Sequence, residues 1–376
     1  MNRDLRIDFL RGFVLLLIVA DHVLNNETRW FAFGEWTYFD GAAGFVFMSG
    51  LVCGMVYAKI VATTGWVDAQ LKAVRRATQL YFSQIIVLAI VCALFMLFNR
   101  YEPLDGGPFG LAAMFEHPAR AVPNALLLMY SPWLMDILKL YVVLLLVLPS
   151  MLWLYQRSRL AALGLSFAAY AVAQKFPEIT PREYPHNLGW FWNPLGWQFL
   201  FFGAAMLGCE RARGSLRLPR NAGLMALAAA AFVAVIVSRR TEALSWMWTD
   251  RQKLAPMHVL SFALFAYVLS GLLRPNWGFW HGWIAIPVIR CGRHSLPIFC
   301  IGVVIDYAIS MVLEPIHSHL VEAAIVAGGV GLTLLAAAFL DWLSSCSATV
   351  ARPPITAGTT LGKPVALAAT PVSVRQ

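Results

Sequence analysis

The sequence predicts an all-α polytopic membrane protein of about ten transmembrane helices, with both ends in the cytoplasm. Three observations carry that expectation. Hydrophobic residues make up 59% of the 376 positions and charged residues only 13%, against about 25% charged in ordinary soluble domains. Apolar stretches long enough to cross a hydrocarbon core recur from end to end. Lysine and arginine collect in alternate connecting segments, as the positive-inside rule requires. The formal charge of +9 then reads as cytoplasmic loop charge, and no nucleic-acid partner is needed to explain it.

The spans are expected near residues 9–24, 41–59, 79–98, 134–155, 160–174, 194–209, 221–238, 257–273, 294–313 and 321–343. The first follows Arg3 and Arg6 and ends in Val19-Ala20-Asp21-His22. That stretch offers no small-x-small cleavage site, so it reads as a retained span and not as a signal peptide. The third follows the basic run Lys72, Arg75 and Arg76, and the fourth closes on Arg157 and Arg159. The fifth and sixth are short and interrupted. The apolar piece Val122 to Tyr130 is too short to span and reads as re-entrant or interfacial. Residues 1–343 are expected to form one integral membrane domain. Residues 344–376, rich in Ser, Thr, Ala, Pro and Gly, are expected to form a disordered cytoplasmic tail. The loop with Arg239, Arg240, Arg251 and Lys253 is the exception to the charge pattern. It either breaks the topology or binds an anionic partner outside. The six cysteines are scattered with no C-x-x-C pair, which is neither a disulfide framework nor a zinc pattern.

The stretch from Arg6 to His22 carries the strongest functional signal. Arg11 enters the first span and His22 leaves it, ten residues apart. Eleven steps of about 100° return both to one helix face, about 16 Å apart along the axis. Ionisable residues at membrane depth are costly and face a protein-lined or watery interior. His22 suits proton abstraction near neutral pH, although a histidine at a helix end also serves as an ordinary interfacial hydrogen-bonder. Asp21 points about 100° away from it on a helix and is free to serve another element. Arg11 needs an anion, either Asp8 one turn earlier or part of a bound substrate. Arg75, Arg76, Arg290 and Arg293 are expected near the same face, where guanidinium forks match phosphate geometry. Each reads equally well as ordinary positive-inside charge. Asp306 lies deep in an apolar span and must find a partner or a cavity. Its depth allows contact with His22. Trp190, Phe191 and Trp192 read either as an interfacial belt or as a sugar-stacking platform. Asn193, Trp197 and Gln198 open the sixth span, where polar side chains either glue helices together or meet sugar hydroxyls. Gly-rich phosphate loops, H-E-x-x-H and G-x-S-x-G do not occur, and no metal ligands are expected.

The Arg11–His22 spacing on a first span resembles the R-x10-H signature of the acyltransferase type 3 superfamily of membrane O-acyltransferases. The chain is most similar to the OpgC branch, which succinylates osmoregulated periplasmic glucans. The matching stretches are Arg3 to Gly12 with Asp21-His22, Phe45-Val46-Phe47-Met48-Ser49-Gly50, and Asn193-Pro194-Leu195-Gly196-Trp197-Gln198. Two more are Leu254 to Leu260 and Gly292-Arg293-His294-Ser295-Leu296-Pro297-Ile298-Phe299. The resemblance implies a multi-pass protein of the bacterial inner membrane with no bound cofactor. It implies an acyl-CoA donor (succinyl-CoA) entering from the cytoplasm and a periplasmic glucan as acceptor. Arg11, with Arg75, Arg76, Arg290 and Arg293, would then serve the donor. His22, with Asp21 and Asp306, would carry the chemistry, as general base or as acyl-histidine. Trp192, Asn193, Trp197 and Gln198 would meet the acceptor. Other acyl groups, other surface polysaccharides and transport of an anionic substrate past Arg11 stay open as alternatives.

Overall fold

Inside hydrocarbon a segment satisfies its backbone by coiling into a helix, and all ten expected spans lie on helices. The computed structural model describes residues 4–23, 32–101, 103–219, 221–242, 249–313 and 318–350. The basic residues Arg3, Arg29, Arg220, Arg352, Lys363 and Arg375 and the acidic Glu27 lie outside these, as does the expected tail beyond Val350. In chain order the helices are α1 (Leu5–Asp21), the short α2 (Phe33–Trp36), α3 (Gly41–Thr63), α4 (Trp66–Asn99), the short α5 (Ala112–Glu116) and α6 (Pro118–Leu126). There follow α7 (Asp136–Arg157), α8 (Arg159–Lys175), α9 (Pro194–Ala212), α10 (Ala222–Arg240), α11 (Pro256–Leu272), α12 (Ala285–Arg293), α13 (Ser295–Leu313) and α14 (His319–Val350). Six of these, α3, α4, α7, α10, α13 and α14, are long and apolar enough to cross a membrane, while α11 is apolar but shorter.

Four boundaries differ from the sequence reading. No Gly or Pro interrupts residues 66–99, so α4 is one 34-residue helix. Lys72, Arg75 and Arg76 therefore stand on its first turns and not in a loop. Gly65, at φ +99°, makes the turn that separates it from α3. Of the piece at residues 122–130, the first part is helical within α6, and Leu128 then turns out at φ +60°. The loop before α9 contains a two-stranded hairpin, β1 (Arg182–Glu183) with β2 (Leu188–Gly189). The last helix runs to Val350, past Leu343, where the membrane domain was expected to end.

Two helix pairs set the frame by backbone approach. A Cβ on Gly50 or Gly54 of α3 would lie 2.3 or 1.9 Å from the carbonyl oxygens of Phe201 and Ala205 on α9. A Cβ on Gly12 of α1 would lie 1.9 Å from the Val288 oxygen, and one on Gly292 of α12 would lie 1.8 Å from the Asp8 oxygen. Small residues let helices without a hydrophobic drive between them meet at van der Waals range. The result wedges α1 among α3, α12, α13 and α14, with Leu15, Val46 and Ile298 in the buried core.

A fully buried lysine clamps the opposite end. Lys139 Nζ pairs with Asp136 at 2.8 Å and Glu183 at 2.7 Å and lies 5.0 Å from the Trp190 ring centroid. It thereby fastens the hairpin to the start of α7. Trp190 is thus occupied structurally and leaves any platform to its two neighbours.

Candidate functional site

Two of the cavities among the described residues lie at opposite ends of α1 and hold the expected site residues. The larger, about 460 Å³, lies at the Arg11 end, and five of its lining residues are cations: Arg11, Lys72, Arg75, Arg76 and Arg293. Lys72, Arg75 and Arg76 recur at helical spacing on α4. Arg293 arrives because α12 stops at His294 and α13 restarts at Ser295. Arg11 donates to the Ser295 hydroxyl across that break, while its Nε is buried with no hydrogen-bond partner among the described residues. Tyr141 and Ser49 line the same cavity. A buried donor without a partner is costly, and Arg11 here borders a space able to hold a polar ligand.

The smaller cavity, about 150 Å³, lies at the His22 end, lined by His22, Asp306, Asp136, Arg251, Phe191 and Trp192 among others. His22 closes α1, and its Nδ1 lies 2.8 Å from the Ile18 carbonyl oxygen. That oxygen can only accept, so Nδ1 carries the hydrogen, which in the neutral ring puts the lone pair on Nε2. Asp306 is fully buried, and neither carboxylate oxygen has a hydrogen-bond partner among the described residues. The suspected neighbourhood of His22 and Asp306 is therefore real at the level of one shared cavity.

Phe45 of α3 and Phe299 of α13 line both cavities. Their rings stack with centroids 5.7 Å apart at 14°, and Tyr141 meets Phe45 edge-on at 5.4 Å. This aromatic pair is the wall between the cation-lined chamber and the histidine chamber.

Arg251 closes the far side of the His22 cavity. It is ion-paired with Asp40, and its guanidinium lies 5.6 Å from the Phe191 ring centroid and 5.4 Å from that of Trp192. Burial pushes its pKa below the ordinary value, with the charge of Asp21 opposing the shift. Asp21 thus acts on Arg251 from another element, as its direction on the helix allowed.

The polar residues opening α9 hold the loop that carries Arg251. Trp197 Nε1 donates to the Arg251 and Gln252 carbonyls at 3.3 and 3.1 Å, and the Asn193 amide N–H donates to the Gln252 carbonyl at 3.0 Å. The Asn193 side chain caps α9 by accepting from Leu195 N at 2.9 Å. Gln198 exchanges two 2.8 Å hydrogen bonds with Ser166 on α8. These side chains are spent as helix glue. Of the four expected acceptor residues, Trp192 lines the His22 cavity, and Asn193, Trp197 and Gln198 line neither chamber.

The expected donor set divides similarly. Arg11, Arg75, Arg76 and Arg293 share the larger cavity; Arg290 and Arg293 both pair with Asp341 of α14, at 3.3 and 3.7 Å, and Arg290 is not part of the cavity lining. Lys72, Tyr141, Phe45, Phe299 and Arg251 were not singled out as site residues. Lys72 was legible in principle, three and four residues before Arg75 and Arg76 on an unbroken helix. The two phenylalanines lie in stretches that match the OpgC pattern, but their apolar character alone does not separate them from core.

A family model described as OpgC protein matches residues 3–345, nearly the whole chain. No curated protein and no solved structure matches it.

Proposed function

The chain belongs to the OpgC family, and on that premise we propose that it moves a succinyl group from cytoplasmic succinyl-CoA to hydroxyls of a periplasmic glucan. Family membership implies a glucan-modifying acyltransferase. The succinyl group, the glucan acceptor, the inner-membrane location and the N-in, C-in orientation belong to the proposal. One observation carries it: a cation-lined chamber and a histidine chamber lie at opposite ends of α1 with a shared wall at Phe45 and Phe299.

In this reading Lys72, Arg75, Arg76 and Arg293 hold the phosphates of the donor, and Arg11 lies deeper along its path. Guanidinium groups suit that task by bidentate pairing. The thioester reaches the aromatic wall, and the acceptor hydroxyl enters from the His22 side, where Trp192 and Phe191 offer ring faces. His22 Nε2 takes the hydroxyl proton as the oxygen attacks the thioester carbonyl. The C–S bond then breaks, an ester forms, and the proton passes on to the departing thiolate, giving free CoA. Asp306 shares the chamber in which the imidazolium develops. Asp40 holds Arg251 in place, with the charge of Asp21 acting on it from α1.

The test is mass and charge analysis of periplasmic glucans from cells lacking the protein, restored with wild type or with His22→Ala at equal expression. A succinyl mass increment and added negative charge with wild type alone establish the reaction and the base. Removal of a general base lowers the rate by about 10²–10⁴-fold. Identical glucans in all strains refute the proposal. A different increment changes the acyl group, and an increment that survives His22→Ala discards the mechanism.

A further inference from the structure

A third cavity, about 230 Å³, lies beside the His22 chamber and shares Arg251 with it. It sits where α2 and α10 end and α3 and α11 begin. Its lining includes Arg239, Arg251, Glu242, Asp40, His258 and Tyr38. We propose that this cavity is a carbohydrate subsite, which holds a sugar ring of the acceptor and delivers a neighbouring hydroxyl past Arg251 to His22. The assignment rests on the acyl-transfer reading for the role of the sugar, but not for its binding.

Four observations point to a neutral polyol and not to an anion. The lining charges balance, with two guanidiniums facing two carboxylates. One of those guanidiniums, Arg251, is already paired with Asp40. Donors and acceptors are mixed, which suits hydroxyls because each both gives and takes a hydrogen bond. His258 is 5% exposed, and its Nδ1 is buried without a hydrogen-bond partner among the described residues. Such an atom in a polar cavity calls for a ligand group.

The arrangement also accounts for two of the four basic residues that broke the positive-inside pattern, Arg239 and Arg251. Arg251 is the partition between subsite and chemistry, fixed by Asp40 and by the rings of Phe191 and Trp192. Arg239 lies in the last turn of α10 and forms no ion pair among the described residues, which leaves its donors available to sugar oxygens.

The experiment uses the full chain in lipid nanodiscs, as wild type, Arg239→Gln and His258→Gln. De-esterified periplasmic glucan is titrated calorimetrically without donor, and transfer kinetics are then measured with succinyl-CoA. Each variant is expected to weaken glucan binding and raise the acceptor KM about 5–10-fold, the loss of one hydrogen bond. CoA affinity and the donor KM are expected to stay within about twofold of wild type, which also reports correct folding. Wild type that binds glucan, with weaker binding by the variants but no transfer, upholds the subsite and defeats the acyl-transfer reading. Equal glucan binding by all three proteins, or none by wild type, overturns the subsite. Tighter binding of inorganic phosphate than of glucan overturns its carbohydrate assignment.

Discussion

Gly12→Ala places a methyl group where the backbone of α12 already stands. Its Cβ would lie 1.9 Å from the Val288 oxygen, whereas ordinary contact begins at 3.4 Å, so α1 and α12 must part by roughly 1.5 Å. Overpacking of this kind costs about 1–3 kcal/mol. The functional consequence follows from the neighbours. Arg11 precedes Gly12 on α1, and α12 ends at Arg293, just before the Ser295 hydroxyl that accepts from Arg11. The displacement therefore spreads the cation cluster, and a misplacement of about 1 Å can cost about 10²-fold in rate. Gly203→Ala is the matched control. That glycine also lies in a helix, α9, but its Cβ would meet nothing within 4 Å, and alanine there gains about 0.5–1 kcal/mol in helix propensity. Thermal unfolding in detergent and succinyl transfer would be measured on both. The expected result is lower stability and activity for Gly12→Ala, with Gly203→Ala neutral or stabilising. Gly12→Ala with wild-type stability and rate would refute the argument from backbone contact.

Lys139→Met removes the cation between Asp136 and Glu183 and should destabilise by about 3–5 kcal/mol, the cost of uncompensated buried charge. Adding Glu183→Gln should recover part of that loss in a thermal melt. Lys72→Gln and Arg76→Gln should each weaken CoA binding about tenfold through a lost charge-assisted hydrogen bond. Arg290→Gln, whose partner Asp341 lies outside the cavity lining, should change it less than about twofold. Calorimetric titration with CoA separates the two cases, and equal effects would dissolve the distinction. Asp4 caps α1 and pairs with Arg6 and Arg211. Burial opposes its ionisation, but the hydrogen bonds and charge of Arg6 and the charge of Arg211 outweigh burial and lower its pKa. A carboxylate with a depressed folded pKa gives stability that is present above its unfolded pKa of about 3.9 and lost as pH falls further. Asp4→Asn keeps an N-cap acceptor but loses the ion pairs, and should therefore cost about 0.5–1 kcal/mol at pH 7. That difference from wild type should shrink as pH falls below about 4; a difference independent of pH would remove the ionic part of the account.

How much was legible follows from the range of each interaction. Hydropathy is a property of consecutive residues, so every expected span coincided with a helix, and α4 was misjudged only where polar turns extend it below the apolar run. The Arg11–His22 relation is set by helical repeat alone. It implied that an arginine and a histidine on one helix face both need polar surroundings, while their division between two separate cavities came from the packing. Asn193 and Gln198 illustrate the limit. An amide at membrane depth announces that it needs a partner but does not say whether the partner is Ser166, a loop carbonyl or a substrate. Arg290 and Arg293 make the same point, since they lie three residues apart on α12 and only Arg293 lines the larger cavity.

By itself the sequence determined the apolar, helical elements, the placement of Arg11 and His22 at opposite ends of α1, and the family, all carried by local composition and spacing. Tertiary structure decided which cations converge, that Phe45 and Phe299 form the wall between the chambers, and that Arg251 divides the histidine chamber from a third cavity. Those facts depend on the crossing of α1 with α12 and of α3 with α9. Backbone-to-backbone contact at single glycines sets both crossings, and no periodicity along the chain encodes which carbonyl each glycine will meet.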